Sequence, residues 1–197
     1  ATAILPLLNG MNHLDRLDAR FGPGAVLGGW CFIAATLDGD GRIRHLNENH
    51  ALWFGARDGS NSVPVEQIRA TLWGAGFEAT LSHAIVQEMW EKWVFIASVA
   101  GITCLMRASV GDIVEAGASD LVVTLLDEGR AIATAEGFSP SEDSVAKARA
   151  MFTQPRSKLT ASMLRDIESH SSTEGDYILG DLLERGHKHQ LKTPLLR

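Results

Sequence analysis

Lys92 is the residue whose setting asks for chemistry. It lies in Met89-Trp90-Glu91-Lys92-Trp93-Val94-Phe95-Ile96-Ala97, a stretch that is otherwise strongly apolar and reads as helix. A partly desolvated ammonium there could donate a proton to an oxygen as negative charge develops on it, which is the work of a general acid. The ordinary alternative is that the stem covers apolar surface while the ammonium reaches water or pairs with Glu88 one turn earlier. Periodicity does not separate the two. Glu174, in Ser172-Thr173-Glu174-Gly175-Asp176-Tyr177, follows a polar joint and opens the last helix, where a carboxylate also serves simply to cap it. Ser162, in Ala161-Ser162-Met163-Leu164, offers a hydroxyl that an early helical turn uses equally well. Of the seven histidines only His187 and His189 stand close together, and at a basic helix end they read as solvated; no metal site is expected.

These candidates need elements to carry them. The first third of the chain favours strands, at 3–8, 25–37, 42–46 and 51–54, with the Asp-Gly pairs of 37–41 suited to a hairpin turn. Asn9-Gly10 ends the first of these strands, and Asn12 is placed to cap a short helix toward Arg20. Val65, Ile68, Leu72 and Trp73 share one side of a helix that Gly74 and Gly76 stop, and 77–81 suits one more strand. After Ser82, a suitable N-cap, the pattern is helical to the end: a long helix to about Met106, then 109–116, 118–136, 141–153, 160–169 and 175–189. The domain boundary is expected near residue 82, dividing 1–81 from 82–197.

An apolar content of 45% over 197 residues is enough for a real core. The net charge of -6, from 24 acidic and 18 basic residues, leaves no sustained basic stripe to follow a phosphate backbone, so nucleic acid is not an expected partner. Cys31 and Cys104 stand in unlike contexts and read as buried free thiols of a cytoplasmic protein. The longest apolar run, 93–106, reads as too short to span a bilayer, and no membrane segment is expected. The opening ATAILPLLNG has no basic leader and reads as a cut through a longer chain. No Gly-x-Gly-x-x-Gly is present; Gly22-Pro23-Gly24 and Gly28-Gly29 lack the spacing and the following helix a dinucleotide turn needs.

Five segments in order carry more than any one of them: LLNGM at 7–11, FGPGAVLGG at 21–29, MWEKW at 89–93, ASMLRDI at 161–167 and STEGDYILG at 172–180. Together they resemble the ketopantoate reductase family, and His189 through Pro194 is similar to its closing His-Gly-Ile-x-x-Pro pattern. The resemblance implies an α+β chain: the last strands of a Rossmann-type domain in 1–81, then an all-α domain in 82–197 similar to the 6-phosphogluconate dehydrogenase C-terminal domain. It implies NADPH as cofactor, bound mainly by sequence upstream of this chain, and reduction of 2-dehydropantoate to pantoate on the way to pantothenate and coenzyme A. Lys92 matches the family's general acid and Glu174 the glutamate that organises that lysine and the substrate. Ser162 matches a serine that contacts substrate, and Asn9 an asparagine beside nicotinamide and substrate.

The sequence departs from the pattern on the helix of Lys92. Pantoate-making members usually carry substrate-binding asparagines four and eight residues after the lysine, where this chain has Ile96 and Ala100. Apolar side chains there remove hydrogen-bonding capacity and favour a less polar 2-oxo acid or ketone. The reading from another class is a non-catalytic helical binding or dimerisation module. The apolar helices and five tryptophans leave room for a homodimer, and an open sheet edge would invite pairing with a second copy.

Overall fold

The computed structural model describes residues 2–197 and is an α+β chain. It divides into two compact units: one runs up to Asn9 and resumes as His13–Met89, the other joins Gly10–Asn12 to Trp90–Arg197.

In the first unit, α1 (Asn12–Phe21) precedes a sheet ordered β1 (Gly28–Leu37), β2 (Ile43–Gly55), β3 (Glu78–Leu81), with α2 (Val63–Leu72) between the last two strands. β1 and β2 run antiparallel around a tight turn in which Asp38 Oδ1 accepts the N–H groups of Asp40 and Arg42. β3 adds parallel to Ala51–Phe54. Leu27, Leu52, Phe54, Ala56 and Val65 form the core of this unit. The cross-strand pair Trp30 and Trp53 stacks with ring centres 4.0 Å apart. Arg57 bonds both Asp18 oxygens, at 2.6 and 2.8 Å, and the carbonyls of Val26 and Pro23, so one guanidinium fastens α1 to the loop before β1.

Three expectations need correction here. Residues 3–8 are not a strand: Ile4 alone makes a parallel bridge, to Val26, and Pro6 has no N–H with which to continue a ladder. The separate strands expected at 42–46 and 51–54 are one strand, interrupted where His50 pairs with Ile33 but His45 pairs with Ala35. The residues between bulge outward, with Asn47 Oδ1 taking the Asn49 N–H. Ser82 lies before the helix it was expected to cap, because the helix begins at Ile85; Ser82 Oγ instead accepts the Ala84 N–H and donates to Glu88.

The second unit is helical: α3 (Ile85–Met106, from Trp90 onward), α4 (Val110–Glu115), α5 (Ser119–Ala135), α6 (Glu142–Phe152), α7 (Ser162–Glu168) and α8 (Asp181–Lys188). Trp90, Trp93, Val94, Ala97 and Ile102 on α3 are all buried. α3 and α5 approach through reciprocal glycines. A Cβ on Gly129 would stand 3.3 Å from Val94, and one on Gly101 would stand 3.2 Å from Leu125. By length and composition α3 is long and apolar enough to cross a membrane, since it runs beyond the apolar stretch marked in the sequence; 56% of that span is buried inside the protein. Buried Glu128 of α5 accepts the N–H groups of Leu195 and Leu196 at 3.1 and 2.9 Å, which docks the C-terminal turn.

Where β3 ends, Ser82 donates to the Phe54 carbonyl at 2.8 Å, and a Cβ on Gly55 would come within 2.1 Å of the Ser82 oxygen. Gly55→Ala is therefore expected to destabilise by about 2–3 kcal/mol through backbone overpacking, read as a lower urea midpoint at unchanged m-value. An unshifted midpoint would mean that the β2–β3 junction gives way freely.

Candidate active site

α3 carries Lys92 half-buried between two residues with structural duties. On one side the Glu91 carboxylate accepts the Ser141 N–H at 2.8 Å, at the start of α6. On the other, the Trp93 indole N–H donates to the Ile178 carbonyl at 3.0 Å. Glu88, the surface partner considered for Lys92, accepts Trp30 Nε1 at 3.2 Å and Ser82 Oγ at 2.7 Å on its two oxygens.

Ser162 is exposed and is the first residue of α7. The Ala161 N–H before it donates to Thr103 Oγ1 at 3.3 Å. Thr103 is fully buried and stands about three helical turns after Lys92 on the same face of α3. Glu174 is exposed, and its carbonyl accepts the N–H groups of Tyr177 and Ile178 at 3.0 and 2.9 Å. Beyond it comes a π turn, Asp176–Gly180, and then α8, where a single regular helix was expected over 175–189. Lys92, Ser162 and Glu174 thus belong to one unit, and hydrogen bonds with α3 hold the segments of the other two. Asn9 is half-buried and belongs to the other unit. Gly10 after it has φ 75°, and a Cβ there would meet the Tyr177 carbonyl oxygen at 2.9 Å, so the backbone approach requires glycine. Ile96 is half-buried and Ala100 is 2% exposed.

Sequence reading missed the polar network on the far side of the tryptophans. Arg185 of α8 lies over both the Trp90 and Trp93 rings, 5.6 Å from each centre. It donates to Asp181 Oδ1 at 3.2 Å and to Glu136 Oε2 at 2.9 Å, while His189 Nε2 lies 2.8 Å from Glu136 Oε1. His189 is therefore not merely solvated, although His187 is exposed. The only cue in the sequence is the four-residue spacing of Asp181 and Arg185; the long-range partner leaves none. Among the described residues no group of three or more His, Cys, Asp or Glu could hold a metal ion.

Lys92, Glu174 and Ser162 thus give the helical unit an amine, a carboxylate and a hydroxyl on α3 and on two segments hydrogen-bonded to it. Residues 84–197 match the family described as ketopantoate reductase PanE/ApbA C terminal, and residues 1–59 match ketopantoate reductase PanE/ApbA. The chain belongs to the ketopantoate reductase family. It is similar to the uncharacterized oxidoreductase YkpB of Bacillus subtilis (strain 168), at 34% identity over 99% of this chain and 65% of that protein. Among solved structures it is similar to 2-dehydropantoate 2-reductase from Methylococcus capsulatus, with TM-score 0.86 and 28% identity, covering 99% of this chain and 62% of the other. A ternary structure of D-mandelate dehydrogenase with NADH and anilino(oxo)acetate shares the fold, with TM-score 0.85 and 22% identity over 99% of this chain and 64% of the other. The chain thus spans just under two thirds of the length of these relatives.

Burial raises the Glu136 carboxyl's pKa, but hydrogen bonds from His189 and Arg185 outweigh it and hold the group below its ordinary value. A carboxylate with a lowered folded pKa contributes stability above its unfolded titration range and loses it as pH falls through the folded value. Glu136→Gln should therefore lower Tm at neutral pH and flatten the fall of Tm on acidification. Parallel Tm curves for the two proteins would show that the charge on Glu136 is not what holds α8.

Proposed function

We propose that this chain is the substrate-binding and proton-donating part of an NADPH-dependent reductase that converts a 2-oxo acid to its 2-hydroxy acid. In this reading 1–81 closes a Rossmann-type domain and 82–197 is the helical substrate domain. The observation that carries it is the attachment of the Ser162 and Glu174 segments to the helix of Lys92 by direct hydrogen bonds in one unit. Family membership and the NADH in the D-mandelate dehydrogenase structure support a nicotinamide cofactor, and the choice of NADPH follows the resemblance to ketopantoate reductases. No glycine-rich strand-to-helix turn for a pyrophosphate exists among the described residues. In this reading Asn9 stands beside the nicotinamide end, as the resemblance to the family implies. A cytoplasmic setting goes with this reading and with the two free cysteines.

When bound, the cofactor supplies hydride to the carbonyl carbon. Lys92 holds the proton that the carbonyl oxygen takes as its π bond breaks, so the ketone gains one hydride and one proton and becomes an alcohol. The lysine regains its proton from water. Glu174 orients the ammonium, and the exposed hydroxyl of Ser162 orients the substrate carboxylate. Lys92→Ala in the native gene product is expected to lower kcat by about 10²–10⁴-fold while NADPH affinity stays close to that of the parent. Unchanged turnover would remove Lys92 from the chemistry, and silence of the parent toward every keto acid tested would favour the binding-module reading.

By the family resemblance pantoate-making members usually carry asparagines at the positions of Ile96 and Ala100, and apolar side chains there support a less polar 2-oxo acid or ketone. Installing Ile96→Asn, at the half-buried position, should then raise kcat/KM for ketopantoate relative to an unbranched aliphatic 2-oxo acid. If the ratio does not move, selectivity is set elsewhere in the pocket.

A further inference from the structure

We infer that Trp93 is a positioning residue, whose indole N–H holds the 176–180 segment as a π turn and through it sets the direction of Glu174. The inference rests on the reductase reading above. In the π turn the Asp181 N–H donates to the Asp176 carbonyl, a step of five residues where an α-helix takes four. The extra residue turns whatever precedes it by about 100° relative to α8. Glu174 and Gly175 precede it, while Asp181 and Arg185 follow it.

A widened turn needs something to hold it against relaxing into α-helix. The Trp93 N–H reaches the Ile178 carbonyl in the middle of the turn at 3.0 Å, and Trp93 is 1% exposed, so water cannot replace the bond. Two further features grip the same segment. Arg185 bonds Asp181 at the end of the turn while lying over the Trp93 ring. Gly10, in its left-handed conformation, leaves room for the neighbouring Tyr177 carbonyl. Trp93 follows Lys92 directly, so one short stretch of α3 carries the proton donor and the tether for the carboxylate that serves it.

The test is Trp93→Phe, which keeps a buried ring and removes the N–H, beside Glu174→Gln, Lys92→Ala and the double variant of Trp93→Phe with Glu174→Gln. In the native gene product Trp93→Phe should leave KM for NADPH unchanged and lower kcat roughly ten- to hundredfold. It should also move the basic limb of the kcat profile to lower pH, as Glu174→Gln should, because in the reductase reading the ammonium would lose the carboxylate that orients it and would hold its proton less tightly. In the Glu174→Gln background it should cost little more, since both changes act through one carboxylate. An unmoved profile, or losses that multiply in the double variant, would overturn the inference. If Lys92→Ala and Glu174→Gln themselves leave kcat unchanged, the reductase reading has failed. Amide hydrogen exchange across 174–183 then decides on the tether alone: faster exchange in Trp93→Phe supports it and equal exchange rejects it. Should Trp93→Phe not fold, benzothienylalanine placed at position 93 keeps the shape of the ring without the N–H, and the same outcomes apply.

Discussion

The burial of α3 is the constraint from which the rest of the helical unit follows. From Val94 to Met106 the helix has no charged residue, and the side chains of Trp90, Trp93, Val94, Ala97, Val99, Ala100 and Ile102 are withdrawn from water. A helix apolar nearly all round is stable only when enclosed, and each large side chain buried this way contributes on the order of 2 kcal/mol. Enclosure requires close partners, which explains the reciprocal glycines on α3 and α5 and the stack of Phe95 on Phe152 at 4.9 Å. The charged residues of α3 are gathered at its beginning. Glu88 ties Trp30 and Ser82, and Glu91 ties the start of α6, so charges on an apolar helix are kept where each has a partner to hold.

Burial also governs the few polar groups that α3 carries deeper. A buried donor or acceptor without a partner costs more than a hydrogen bond gains. Ser98 and Thr103 each donate to the carbonyl one turn earlier, at 2.7 Å. Thr103 then has lone pairs to spare and takes the Ala161 N–H, while Trp93, an indole with one N–H, takes the Ile178 carbonyl. Satisfying the core is thus the same act as placing the segments of Ser162 and Glu174. The rule that polar groups must be paired in a dry interior converts a packing problem into the placement of two distant segments.

Most of the helices were legible because their apolar spacing is regular and their ends carry ordinary signals, such as the reciprocal Ser109/Asp112 capping box of α4 and Ser141 before α6. The irregular features were not. Pro6 looks at home in an apolar run until the missing N–H is counted. The bulge in β2 leaves no mark, because Leu46 to Asn49 continue the same mixture of polar and apolar residues. The π turn is invisible for a related reason: Asp176 to Gly180 would serve an α-helix equally well, and what selects the wider turn is a tryptophan some 80 residues earlier in the chain. Glu136 and His189 pair across 53 residues. Local propensity registers what a segment prefers alone, and these features are imposed by partners distant in sequence.

The candidate residues on α3 differ in how freely they can change. Ile96 is half-buried, so a polar side chain there can extend toward solvent or a bound molecule without dismantling the core. Ala100 is 2% exposed and sits among Ala97, Val99 and Ile102 on the enclosed stretch of the helix. An amide at position 100 would have to find its partners in a dry interior, and its extra volume would press on neighbours already in contact. Positions 96 and 100 are therefore not equally free to change. The first can take a polar side chain, whereas the second is bound to the packing of α3 and can accept an amide only together with changes in the residues that face it.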